Sequence, residues 1–225
     1  MHDDTDSGIA NSFTDLMTSL AVIFILLLCS FLNNAFEEGQ STRAKILDNL
    51  HLQLKEFVTK GVKVNSDPND PLALLILIPE GLLAFETDRA EIPPRGNEFL
   101  ASFIPRLTDT IYLPEFRNDI SSVVVEGHTD SRGSDTINLA LSQQRSMSVV
   151  SQCINILEST KGLGGNVDYK REYFLRVLSA SGRGKQDLIL NEDGKEDQPQ
   201  SRRVVFKIRV RSFEEKRVEK RLSDA

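Results

Sequence analysis

The sequence predicts an α+β fold, a small sandwich of one sheet covered by two main helices, set behind a single N-terminal membrane-length helix and a helical connector. Three observations predict it. Residues 13–36 read FTDLMTSLAVIFILLLCSFLNNAF, with no charge from Leu16 to Leu32, and about 20 such residues cross a bilayer as a helix. Residues 37–60 carry apolar side chains at helical spacing. Beyond residue 71, apolar runs of strand length alternate with longer segments of helical periodicity.

Each element has its own signal. The first twelve residues hold Asp3, Asp4 and Asp6 but no Lys or Arg, which argues against the basic opening of a cleaved signal peptide. Leu28 precedes Cys29 where a lipoprotein signal has a small residue, so residues 13–36 read as a permanent anchor. In the connector, 37–70, Ile46, Leu47, Leu50, Leu54, Phe57 and Val58 predict an amphipathic helix to Lys60 that packs on a copy of itself or on the domain. The turn-rich segment Asn65–Pro71 marks the boundary of a domain spanning 71–212. Leu72–Ile78 predicts a strand, and Leu82, Leu83 and Phe85 a second, short one.

Pro93-Pro94 opens a helix to about Leu107, burying Phe99, Leu100, Phe103 and Ile104. Ser121–Glu126 predicts the next strand, and Asp135 to about Ser159 a long helix with Ile137, Leu141, Val149, Ile154 and Leu157 inward. Phe174–Ala180 and Val204–Val210 predict two more strands, separated by a polar loop, 181–201, rich in Asp and Glu. Residues 213–225 form a charged tail, read as a solvated, partly frayed helix.

A net charge of −6 and a pI near 5.2 argue against nucleic acid as the main partner. Cys29, Cys153 and three scattered histidines give neither a disulfide framework nor metal spacing. Both cysteines read as small packing residues. With no nucleophile–base pair in view, the chain does not read as an enzyme and calls for no cofactor.

Two groups of residues carry chemistry. Asp15 stands in the first turns of the membrane run, where desolvation raises a carboxylate's pKa and an ionisable residue is by default functional. Thr18, Ser19 and Val22 share its helix face at i+3, i+4 and i+7. The plainer alternative is an interfacial residue favoured by the helix dipole. In the domain, Asp130 follows a strand end, and Asn138, Leu141 and Arg145 share a face of the next helix. A carboxylate and a guanidinium across one pocket suit a ligand carrying both an ammonium and a carboxylate, since Arg grips carboxylates bidentately. The plainer alternative is an ordinary ion pair between Asp130 and Arg145.

The stretch EGHTDSRGSDTINLALSQQRSMSVV, 126–150, resembles the OmpA C-terminal family, with Gly127, Thr129, Asp130, Gly133, Asn138, Leu141, Ser142, Arg145 and Val149 in register. Ser181–Gly184 and Ser201–Val204 resemble its later motifs, although Ser201 stands where the family often has Asn. The resemblance implies a peptidoglycan-binding domain. Asp130 would take the ammonium and Arg145 the carboxylate of a diaminopimelate peptide, with Thr129, Asn138, Leu141 and Arg203 lining or bracing the pocket.

Ser12–Leu20 resembles the first turns of the helix of MotB-type stator B subunits, in which an aspartate is closely followed by a Met-Thr pair. That resemblance implies a single-pass protein of the cytoplasmic membrane, its helix among lipid, its N-terminus cytoplasmic and its wall domain periplasmic. It also implies a homodimer inside a ring of multi-helix A-type (MotA/ZorA-like) subunits, with H⁺ or Na⁺ carried past Asp15, Thr18 and Ser19. Arg43 and Lys45 taken alone place the domain in the cytoplasm, against that topology. The short acidic N-terminus is more similar to B subunits of Zorya anti-phage defence systems than to flagellar stators, whose N-termini are usually basic. A flagellar stator subunit and a passive membrane-to-wall tether are the alternatives.

Overall fold

The apolar run does not end the helix it begins. In the computed structural model, which describes residues 4–83, 85–159, 165–212, 215, 216 and 218, a single helix, α1, runs from Asp4 to Gln53. At 1.5 Å per residue it is about 75 Å long. Its stretch Phe13–Asn33 is long and apolar enough to cross a membrane, and none of the other described residues buries it. Most of the expected charged tail, and residues 1–3, lie outside the described residues.

The far end of α1 belongs to the domain. Ile46, Leu50, Leu54 and Phe57 are completely buried, Phe57 within a one-turn helix α2 (Lys55–Val58), whereas Val58 is exposed. The Phe57 ring stands edge-on to Phe99 and Phe103, with centroids 5.8 and 5.3 Å away. The core therefore begins at residue 46, ahead of the boundary predicted at 71. The turn-rich segment overlaps an edge strand, β1 (Lys63–Ser66).

β2 (Ala73–Pro79) leads into α3 (Glu80–Leu83), α4 (Pro94–Ile111), β3 (Ile120–His128), α5 (Asp135–Glu158), α6 (Gly165–Val177), β4 (Leu178–Gly184), α7 (Gln198–Ser201) and β5 (Arg203–Val210). The sheet order is β1-β2-β5-β3-β4, antiparallel except for the β3–β4 pair. The predicted α+β sandwich is present, with more helix on it than expected. α5 packs on β3 and β4, α6 on β3, and the end of α1 on β1, β2 and β5. α4 reaches β5 through Phe103, whose ring lies 5.6 Å from that of Phe206.

Two predicted strands are helical in part, while the end of the second, Leu178–Ala180, is strand as predicted, in β4. Leu82 and Leu83 belong to α3, and Phe174 lies in α6, where Tyr173, Phe174 and Val177 are buried at helical spacing. Short apolar runs do not distinguish a buried strand from a buried helical turn by periodicity. In α5, Ile137 is exposed, and the buried stripe is Asn138, Ser142, Arg145, Ser146, Val149, Cys153 and Leu157.

That stripe starts polar and small because the helix lies directly on two strands. A Cβ at Gly127 would sit 2.2 Å from the Ser142 carbonyl oxygen, and one at Gly182 would sit 2.6 Å from the Gln143 nitrogen. Gly127→Ala must push helix and strand apart, and overpacking costs about 1–3 kcal/mol. We expect the upper end of that range, read as a lower guanidinium midpoint for the full-length protein in detergent. Gly81→Ala, with nothing within 4 Å of the new methyl group, serves as the control and should leave the midpoint unchanged or slightly raised.

Candidate functional site

The polar first half of α5 faces a cleft of about 400 Å³ at the C-terminal end of β3. The turn that joins them is set by its residues. Asp130 Oδ1 accepts the Arg132 backbone N–H at 3.1 Å. Gly133 adopts φ +85°, a left-handed conformation that glycine takes without strain. The Ser134 hydroxyl then caps α5 by accepting the Ile137 N–H at 3.3 Å. Asn138 donates Nδ2 to the Arg132 carbonyl at 2.7 Å, holding the turn from the helix side. Thr129, Asp130, Asn138, Leu141 and Arg145 all line the cleft, as the residue pattern predicts.

Asp130 and Arg145 do not pair with each other, so the plain ion-pair alternative fails. Asp130 Oδ2 accepts from Arg132 (Nε 2.9 Å, Nη2 2.6 Å) and from Arg202 (Nη1 2.8 Å). Burial acts most strongly on this carboxyl and raises its pKa. The hydrogen bonds from Arg132 and Arg202 together outweigh it and hold the group below the ordinary carboxylate value. Arg145 is buried and stacks over Phe85, its guanidinium 4.9 Å from the ring centroid. It donates to the Arg89 carbonyl at 3.0 Å, the Glu86 carbonyl at 3.1 Å and Glu80 Oε1 at 3.4 Å. Its burial lowers its pKa and the Glu80 charge opposes that, so the group stays a cation that is largely stripped of water.

Arg203 does not line this cleft; its neighbour Arg202 does. Successive side chains of an extended strand point to opposite faces, and the register opposes Arg203 to His128 and Pro79. The Arg203 guanidinium is turned to the carbonyls of Ser201 (3.1 Å) and Asp187 (2.9 Å), so it braces the 181–201 loop. The Ser201 hydroxyl accepts the Ile189 N–H of the same loop at 3.0 Å.

Further residues line the cleft beyond those the sequence predicts, among them Glu80, Arg132 and Arg202. Glu80 bonds both Arg145 and Arg202 from a segment 65 residues away from Arg145. No local spacing announces it. The Thr129 hydroxyl is buried, lines the cleft and has no hydrogen-bond partner among the described residues, a cost that a bound polar ligand would remove. Among the described residues, no group of three or more His, Cys, Asp or Glu side chains is placed to hold a metal ion.

The second predicted group lies on α1. Asp15, Thr18 and Ser19 are exposed on the uncovered stretch, and the Thr18 hydroxyl donates to the Thr14 carbonyl at 2.7 Å.

Comparison with known proteins follows the same division. The chain is similar over 96% of its length to the Zorya protein ZorB of Escherichia coli O139:H28, at 25% identity and covering 85% of that protein. It is 24% identical to the Zorya protein ZorB of the Crooks strain of Escherichia coli, over 91% of this chain and 89% of that one. A solved MotB-like protein of Desulfovibrio vulgaris shares the fold, with a TM-score of 0.50 at 17% identity over 80% of this chain and 98% of that one. Residues 84–202, which contain the β3–α5 turn and almost all of the cleft, match the OmpA family, and to that family the chain belongs.

Proposed function

We propose that this chain is the B subunit of an ion-driven rotary stator in the cytoplasmic membrane, fastened to peptidoglycan and serving anti-phage defence of the Zorya type. The observation that carries the proposal is the pairing, on one chain, of an uncovered membrane-length helix bearing Asp15 with a cleft that sets Asp130 against Arg145. The near full-length similarity to Zorya ZorB proteins supports the defence role.

In this reading the cleft takes the diaminopimelate arm of the wall peptide. Its ammonium goes to Asp130 and its carboxylate to Arg145, whose guanidinium is fixed in place by the Glu86 and Arg89 carbonyls. The Thr129 hydroxyl supplies a further polar contact. The anchored B subunits, as a homodimer, then cannot turn, and the surrounding ring of A-type (MotA/ZorA-like) subunits moves against them.

Asp15 is the group that binds and releases H⁺ or Na⁺, with Thr18 and Ser19 on the same face toward the ring. One charge falling through 100 mV supplies about 2.3 kcal/mol, enough to bias a step more than tenfold. Asp15→Asn keeps the size and removes titration. Expressed with its A-type partner, that variant should lose phage resistance, with plating efficiency rising to that on cells lacking the system. Full protection by the variant would leave a passive tether as the reading. Rescue of swimming in a cell lacking flagellar stators would move the role to motility.

A further inference from the structure

The carboxylate expected to receive a ligand's ammonium is already occupied. Arg132 and Arg202 both donate to Asp130 Oδ2, but they are held very differently. Arg202 is three-quarters buried and is bonded to Glu80 as well, so it forms part of the cleft wall. Arg132 projects from the β3–α5 turn with 64% of its side chain exposed, and its guanidinium closes on Asp130 from the solvent side.

The turn that carries Arg132 is clamped from outside. Glu196, in the acidic 181–201 loop, accepts the Ser131 N–H through Oε1 at 2.9 Å and the Ser131 hydroxyl through Oε2 at 2.5 Å. Glu196 also adds attraction for the Arg132 cation. The loop is itself tied down, by the Ser201 hydroxyl to Ile189 and by Asp197 to Gln200.

We propose that Arg132 is a built-in competitor at the ammonium position of the cleft, which a ligand must displace, and that Glu196 holds it there. This rests on the wall-binding reading of the cleft and goes beyond it by giving the acidic loop a task. The consequence is selectivity. A ligand with a carboxylate alone leaves Arg132 on Asp130, whereas one carrying an ammonium beside its carboxylate exchanges one cation for another and frees Arg132 to water. Because the Arg132 guanidinium stays largely in water and Arg202 remains on Asp130 when it leaves, the competitor lowers affinity without blocking the site.

The test uses full-length protein in detergent and purified diaminopimelate-type sacculi, with binding isotherms by co-sedimentation. Arg132→Gln should bind about threefold tighter than the natural chain, the order of a contact whose cation is solvated, and Glu196→Gln should shift in the same direction by less. Asp130→Asn should lose binding whether or not Arg132 is present. Arg132→Gln binding equally or more weakly, while Asp130→Asn still fails, overturns the competitor alone. Retained binding by Asp130→Asn overturns the wall-binding reading beneath it. A readout without ligand is the carboxyl-carbon titration of Asp130 by NMR. Its midpoint should rise toward the ordinary value in Arg132→Gln, and an unmoved midpoint also overturns the contact.

Discussion

Arg145→Lys is expected to weaken binding of the full-length protein to purified sacculi roughly tenfold to hundredfold, the worth of one charge-assisted hydrogen bond at about 1.5–3 kcal/mol. The natural guanidinium spends three N–H donors on Glu80 and the carbonyls of Glu86 and Arg89, which orient its plane against the Phe85 ring. A ligand carboxylate then meets a group that cannot rotate away. A lysine keeps the charge but not the planar fork, and its ammonium cannot hold both carbonyls and still present two parallel donors. Glu80 keeps Arg202 as a partner in the variant, so no buried carboxylate is stranded and folding should survive. The unfolding midpoint checks that point. A folded Arg145→Lys protein that sediments as well as the natural one would remove Arg145 from the binding role.

Phe57→Ala should destabilise the domain by about 3–5 kcal/mol, the usual cost of deleting a buried aromatic ring. The ring is completely buried and meets Phe99 and Phe103 edge-on, while those two stack on each other with centroids 5.4 Å apart. Val58→Ala, one residue on and exposed, should cost less than about 0.5 kcal/mol. Guanidinium unfolding of the full-length protein reads both. A loss below about 1 kcal/mol for Phe57→Ala would mean that the segment after the membrane helix is a spacer and not part of the core. The expected result carries a mechanical consequence. The helix that bears Asp15 is the same α1 whose Ile46 and Leu50 are buried in the domain's core.

Local pattern made much of this legible. The charge-free run from Leu16 to Leu32, the Pro93-Pro94 helix start and the strands around Val123 and Val205 are each specified by neighbours in sequence, through an unbroken apolar length, a proline's fixed φ and short apolar runs of strand length. The turn at Asp130–Ser134 was equally readable, since Asp, Gly and Ser each fill a backbone requirement within a few residues. Leu82–Leu83 and Phe174–Val177 do not read as helical from sequence, because so short an apolar run fits a strand or a helical turn equally well and only what it packs against decides.

By itself, then, the amino-acid order determined the membrane-length helix, the α+β alternation and the set Thr129, Asp130, Asn138, Leu141 and Arg145. Tertiary structure alone decided that Ile46–Phe57 enters the core, that Arg202 and not Arg203 faces the cleft, and that Glu80 and Glu196 act on residues 65 positions distant. The physical reason is common to all three. A period along the chain records which face of an element is buried, but not its register against a neighbour, and polar partners brought together by that register leave no spacing to read.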